Sequence, residues 1–137
     1  MDKSKILFLC AGNSCRSQMA EAIVNTRMGD PWEAFSAGSH PSGFVHPLTR
    51  IVLSEIGIDH HGRSKSIDEF RGQSFDVVVT LCDQEDEECP VWLGKGRILH
   101  KPFPDPAKVT GSEAEKLAAF REVRDGIAIE LARILEH

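Results

Sequence analysis

Positive charge is in short supply in this chain, where 16 Lys and Arg face 21 Asp and Glu for a formal net charge of -5 over 137 residues. Proteins that grip nucleic acid or anionic membranes neutralise phosphates with a basic stripe, and none is present. Any positive field must therefore be local. No apolar run approaches bilayer-spanning length, and Met1-Asp2-Lys3-Ser4-Lys5 leads into an apolar stretch with no cleavable pattern, so a cytoplasmic protein with no membrane and no nucleic-acid partner is expected. Cysteine is sparse, at positions 10, 15, 82 and 89, which excludes the dense framework of a secreted mini-protein and points to catalysis or metal. Zinc fits poorly: the cysteine gaps of five and seven exceed the usual paired-ligand spacing, and the histidines show no ligand-like pair beyond adjacent His60-His61. No repeat, low-complexity tract or linker divides the chain, so residues 1–137 read as one domain long enough to bury a core.

What is present is organised around Ile6-Leu7-Phe8-Leu9-Cys10-Ala11-Gly12-Asn13-Ser14-Cys15-Arg16-Ser17-Gln18-Met19-Ala20. Lys5–Leu9 reads as a strand buried on both faces. From Ser17 the pattern turns helical, with Met19, Ala20, Ile23, Val24 and Met28 on one side, Gln18, Glu21, Asn25 and Arg27 on the other, and Gly29 closing it. Trp32–Ala37 is a second strand. Pro47 opens a helix on Leu48, Ile51, Val52 and Ile56 that Gly57 ends. Ser66–Phe70 suits a short helical turn, the β-branched run Phe75–Leu81 is the clearest strand, and Arg97–His100 is a fourth. A final helix begins at a capping box of Ser112 with Glu115 and carries Leu117, Phe120, Ile127, Leu131 and Ile134 on one face. This alternation predicts an α/β fold: a doubly wound, four-stranded parallel sheet flanked by helices, with ligands at the carboxyl ends of the strands.

Cys10 and Cys82 each follow such a strand. Loop amides turned inward make a nest for an anion, the following helix adds the positive end of its dipole, and Arg16 offers a planar fork matching a tetrahedral oxyanion. The same features favour a charged sulfur at Cys10. Ala11, Gly12, Asn13, Ser14, Cys15 and Ser17 form the rest of the cradle. Asn13 tolerates a left-handed backbone, Ser17 is placed to donate to the Cys10 sulfur, and Cys15 reads as a packed thiol. Asp105 stands between Pro104 and Pro106, which stiffen the loop holding its carboxylate.

Cys10, five intervening residues and Arg16 resemble the phosphate loop of low-molecular-weight protein tyrosine phosphatases. Leu9–Ala22 is more closely similar to the thioredoxin-coupled arsenate reductases built on that fold, and the likeness continues through Ser36-Ala37-Gly38, Gly57-Ile58-Asp59, Val79-Thr80-Leu81-Cys82, Cys89-Pro90 and Pro104-Asp105-Pro106. The resemblance implies that Cys10 attacks arsenate in the loop, Cys82 attacks Cys10 and releases arsenite, and Cys89 attacks Cys82. The resulting Cys82-Cys89 disulfide would be reduced by thioredoxin as external reductant. Asp105 would be the general acid, phosphate and sulfate would compete for the loop, and the form would be a monomer with no bound cofactor and no metal. A span of seven residues is roughly 10 Å if helical, beyond the Cα separation of about 7 Å that a disulfide tolerates, so this segment must unwind or loop out. A tyrosine phosphatase is the same-fold alternative, opposed by Gln18 and by the absence of any tyrosine to wall a phosphotyrosine pocket. A thiol sensor or arsenite-binding module is the alternative of another class.

Two departures from the family pattern stand out. Some relatives bind potassium through Asn13, Glu21, Ser36 and an Asp where this chain has Lys65, so a lysine ammonium is expected in the cation's place. Between the later cysteines runs Asp83-Gln84-Glu85-Asp86-Glu87-Glu88, an acidic stretch expected to stay solvated and easily unwound, although its charge disfavours thiolates at both ends.

Overall fold

The computed structural model describes residues 3–83 and 89–135. Four parallel strands, β1 (Ser4–Cys10), β2 (Trp32–Gly38), β3 (Val77–Thr80) and β4 (Arg97–His100), form one sheet in the order β2-β1-β3-β4. Helix α1 (Arg16–Arg27) joins β1 to β2, α2 (Pro47–Ser54) follows β2, and α3 (Glu113–Leu135) closes the described chain. One-turn 3-10 helices lie at Ile67–Phe70 and Pro106–Lys108. This is the expected four-stranded parallel sheet with flanking helices.

Burial explains why β1 is central. Ile6 through Leu9 are fully buried, their side chains alternating between two apolar layers. Ile6 and Phe8 face α1, α2 and α3 through Met19, Ile23, Val52, Leu53, Phe120 and Ile127. Leu7 and Leu9 face Ala37, Ile67, Phe70, Phe75, Val78 and Trp92. The rings of Phe35, Phe70, Phe75 and Trp92 meet edge to face at 5.4–5.9 Å, the arrangement their quadrupoles favour. The chain leaves β1 toward β2 and returns on the other side to β3. The switch point of the sheet therefore lies at the carboxyl ends of β1 and β3, where Cys10 and Cys82 stand.

Several local expectations hold in detail. Pro47 opens α2, whose cap is His46: its side chain accepts from the Leu48 N–H. Gly57 takes a φ of +79°. Ser112 and Glu115 bond reciprocally, each backbone N–H donating to the other's side chain at 3.2 Å.

Others are corrected. Strand β3 is shorter than Phe75–Leu81, because Phe75 turns into the aromatic layer and donates its N–H to the Lys95 carbonyl. In α2 the buried stripe runs through Leu48, Val52 and Leu53, while Ile51 is 46% exposed, so the helix presents a narrower face than its composition suggests. On α3, Leu117 and Ile134 are half-buried, and Val123 and Arg124 join Phe120, Ile127 and Leu131 inside. Gln18, assigned by periodicity to the polar side of α1, is completely buried, because residues beyond α2 return over the first turn of that helix.

Candidate functional site: an oxyanion cradle beside a cysteine pair

Cys10 ends β1 with 2% of its surface exposed, and the chain bends through residues 11–15 into α1. The bend has one non-glycine residue with positive φ, Asn13 at 47°, the left-handed conformation asparagine tolerates. Outside partners take the loop's carbonyls. The Ala11 carbonyl accepts from His40 N–H, that of Gly12 from Ser42 N–H and Ser64 Oγ, that of Asn13 from Gln18 Nε2, and that of Ser14 from His46 N–H and Thr49 Oγ1, at 2.9–3.2 Å. With its carbonyls engaged from outside, the loop keeps its N–H groups as the donors an anion nest requires. Gly38 allows the close fit, because a Cβ there would strike the Ala11 carbonyl and stand 3.0 Å from the Asn13 nitrogen.

Arg16 begins α1 and is 3% exposed. It donates to the Phe103 carbonyl at 3.1 Å, and its other terminal nitrogen lies 3.8 Å from Asp105 Oδ2. Asp105 is 22% exposed, and its second oxygen caps the following 3-10 turn by accepting from Ala107 N–H at 3.0 Å. Cys10, Arg16, Ser42, Phe44, His46 and Asp105 line one pocket of about 200 Å³. The Cys10 sulfur is 2.8 Å from Ser17 Oγ, and Asn13 Nδ2 donates to that same oxygen at 2.8 Å. Burial pushes the Cys15 thiol up to about 12, and its side chain packs in the main core.

Cys82 and Cys89 are joined in a disulfide with Cα atoms 5.7 Å apart, whereas Cys10 and Cys15 are free. Cys82 stands just past β3, with Leu81 between, and is fully buried, and Cys89 is half-buried. Cys82, Asp83 and Cys89 are not helical, and the Cα separation lies within the range a disulfide spans. The acidic stretch assigned a solvated role falls mostly on residues 84–88, outside the described residues. Among the described residues no group of three His, Cys, Asp or Glu side chains could hold a metal ion, and no helix is long and apolar enough to cross a membrane.

The predicted site residues thus fall into two neighbouring groups, the loop with Arg16 and Asp105, and the cysteine pair at the end of the adjacent strand. Lys65 sits beside the loop, its ammonium 3.1 Å from the Arg63 carbonyl, 3.4 Å from Ser36 Oγ and 3.7 Å from Glu21 Oε1. Burial raises the Glu21 pKa and lowers that of Lys65, each against the attraction of the other. Sequence reasoning missed Gln18, His60, Thr49 and Ser64 as loop supports. Gly62 was the available signal, since a Cβ there has no room between His60 and Gln18.

Parallel strands, a Cys-x5-Arg loop at the switch point and an Asp-Pro loop facing it define a class, and residues 5–137 match the low molecular weight phosphotyrosine protein phosphatase family, to which this chain belongs. Within it, the chain is 43% identical over 137 residues to an arsenate reductase of Halalkalibacterium halodurans, covering 99% of this chain and 98% of that one. A solved arsenate reductase in the reduced state superposes with a TM-score of 0.75 at 31% identity and 97% coverage of both chains. A thioredoxin-dependent arsenate reductase of Corynebacterium glutamicum superposes with a TM-score of 0.66 at 27% identity, over 98% of this chain and 62% of that one.

Proposed function

We propose that this protein is a cytoplasmic arsenate reductase that stores the oxidising equivalents of arsenate in a Cys82-Cys89 disulfide and is returned to the dithiol by a thioredoxin-type protein. The observation that carries this reading is a closed disulfide just beyond the end of β3, the strand that pairs with β1, while the Cys10 thiol in the first loop remains free. A phosphatase has no use for that pair.

The chemistry balances over three thiols. Loop amides and Arg16 hold three arsenate oxygens, and the Cys10 thiolate attacks arsenic; the departing oxygen takes a proton from Asp105 and leaves as water. The Cys82 thiolate then attacks the Cys10 sulfur, the S–As bonding pair passes to arsenic, and arsenic leaves as arsenite, reduced by two electrons. Cys89 attacks Cys82, releases Cys10 as thiolate and closes the disulfide, the oxidised counterpart of the two electrons given up. Because the cradle reads a tetrahedral oxyanion by shape and charge, phosphate and sulfate compete for it.

Mixing fully reduced protein with arsenate and no other reductant tests the proposal. One arsenite per chain with loss of two thiols is expected, followed by continuous turnover when thioredoxin is added. Intact thiols and no arsenite would reject it.

A further inference from the structure

Gln18 is fully buried on the first turn of α1, with both ends of its amide engaged. Its Nε2 lies 2.9 Å from the Arg63 carbonyl, 3.0 Å from Asn13 Oδ1 and 3.2 Å from the Asn13 carbonyl, acceptors that only an NH2 group satisfies. The amide orientation is thereby fixed, and Gln18 Oε1 faces the opposite way, 2.6 Å from His60 Nε2. An amide oxygen only accepts, so His60 Nε2 carries the proton. The same accounting continues inward. Asn13 Oδ1 accepts from Gln18 and from the Lys65 backbone N–H at 2.9 Å, which leaves Asn13 Nδ2 to donate to Ser17 Oγ. A Cys10 thiolate only accepts, so toward it Ser17 turns its own hydrogen to the sulfur. Every donor in the chain points the same way, from the imidazole to the sulfur, and each bond polarises the next.

We infer that His60 is a positioning residue for the proposed reaction: by donating to Gln18 it completes the line of donors through Asn13 and Ser17 and strengthens the bond from the Ser17 hydroxyl to the Cys10 thiolate. It does not touch the oxyanion. Two further observations support the assignment. A Cβ at Gly62 would stand 2.5 Å from Gln18 Oε1 and closer still to His60 Nε2, so the contact depends on a residue without a side chain. Burial, together with Arg50, Lys65 and His61 around it, lowers the His60 pKa, so the ring is neutral at pH 7 and its one N–H is the one facing Gln18. Adjacent His61 is 75% exposed and pairs with Asp59 instead.

The test rests on the arsenate-reductase reading only for its biological meaning, because its readout is the state of the sulfur. In the oxidised protein, with Cys82 and Cys89 joined, the free thiols are Cys10 and Cys15; burial raises the latter to about 12. The chain contains no tyrosine, so the ultraviolet thiolate band reports Cys10 free of phenolate absorbance. His60→Leu is expected to raise the Cys10 titration midpoint by roughly 0.5–1 pH unit through loss of the directed donor. His60→Gln, whose amide can donate to Gln18, restores the wild-type midpoint, and Gly62→Ala raises it without altering His60. A His60→Leu midpoint equal to wild type overturns the inference. Nitrogen-15 imidazole spectra of the wild-type protein provide the arm that needs no variant: the Nε2–H tautomer is expected, and Nδ1–H overturns it. None of these measurements depends on arsenite release, so failure here and failure of the proposed reaction are separate results.

Discussion

Replacing Lys65 by Met leaves the Glu21 carboxylate without its ammonium partner, and the cost can be worked from their geometry. The charges stand 3.7 Å apart with side chains 11% and 14% exposed. At an effective dielectric of about 20 their attraction is about 4.5 kcal/mol, which the variant loses. Glu21 has a less costly way out, because it can take up a proton. From an ordinary value of 4.5, protonation at pH 7 costs about 3.4 kcal/mol, and at pH 5 about 0.7 kcal/mol. The smaller of the two costs sets the ceiling, and relief of the buried ammonium's own desolvation lowers it further. Lys65→Met should therefore destabilise by about 2–3 kcal/mol at pH 7, a fall in Tm of roughly 8–12 °C, and by less than about 1 kcal/mol at pH 5. The sign follows from proton linkage. Folded Lys65→Met holds a proton on Glu21 where the unfolded chain does not, so its deficit shrinks as pH falls toward the ordinary carboxyl range. Thermal unfolding of both proteins at the two pH values decides the matter. An equal deficit at pH 5 and pH 7 would refute the account, since lost packing alone has no such dependence.

Arg16→Lys keeps the charge but not the fork that donates to the Phe103 carbonyl and lies against Asp105, so kcat/KM for arsenate should fall by about 10²-fold or more, with thermal stability nearly unchanged. Cys89→Ser should complete one arsenite release and then accumulate as a Cys10-Cys82 disulfide, found by peptide mass analysis under non-reducing conditions. A Cys10-Cys15 product in its place would show that Cys82 does not attack Cys10. Because the Lys65 ammonium already stands against Glu21 and Ser36, potassium chloride should support the same turnover as sodium chloride at equal ionic strength. A specific activation by potassium would show that a cation displaces that side chain.

Local chemistry is legible in a sequence because it is written in neighbours. The Cys10-to-Arg16 loop, the Asn13 position with φ of 47°, the Pro47 helix start and the Ser112–Glu115 capping box all involve residues within one or two turns of each other, and each stands as expected. The β-branched run near Val77–Thr80 and the apolar run of β1 could only be buried strands, and with a helix between β1 and β2 the parallel sheet follows. Where the reading failed, the deciding partner is distant in the chain. Gln18 looks like a surface residue from its place among Glu21 and Asn25, and becomes core because His60 and Arg63 arrive 42 and 45 residues later.

By itself, then, the sequence determined the element order, the Cys10-to-Arg16 loop and which side chains are available for thiol chemistry, since backbone preference, apolar period and residue type act over short range. Tertiary structure alone decided how these are used. It closed Cys82 onto Cys89, brought Asp105 to within 3.8 Å of Arg16, set Lys65 against Glu21, and ran a one-way line of donors from His60 to the Cys10 sulfur. These contacts depend on the directions of side chains carried by separate elements, and only the packing of the sheet, its helices and the returning loops fixes those directions.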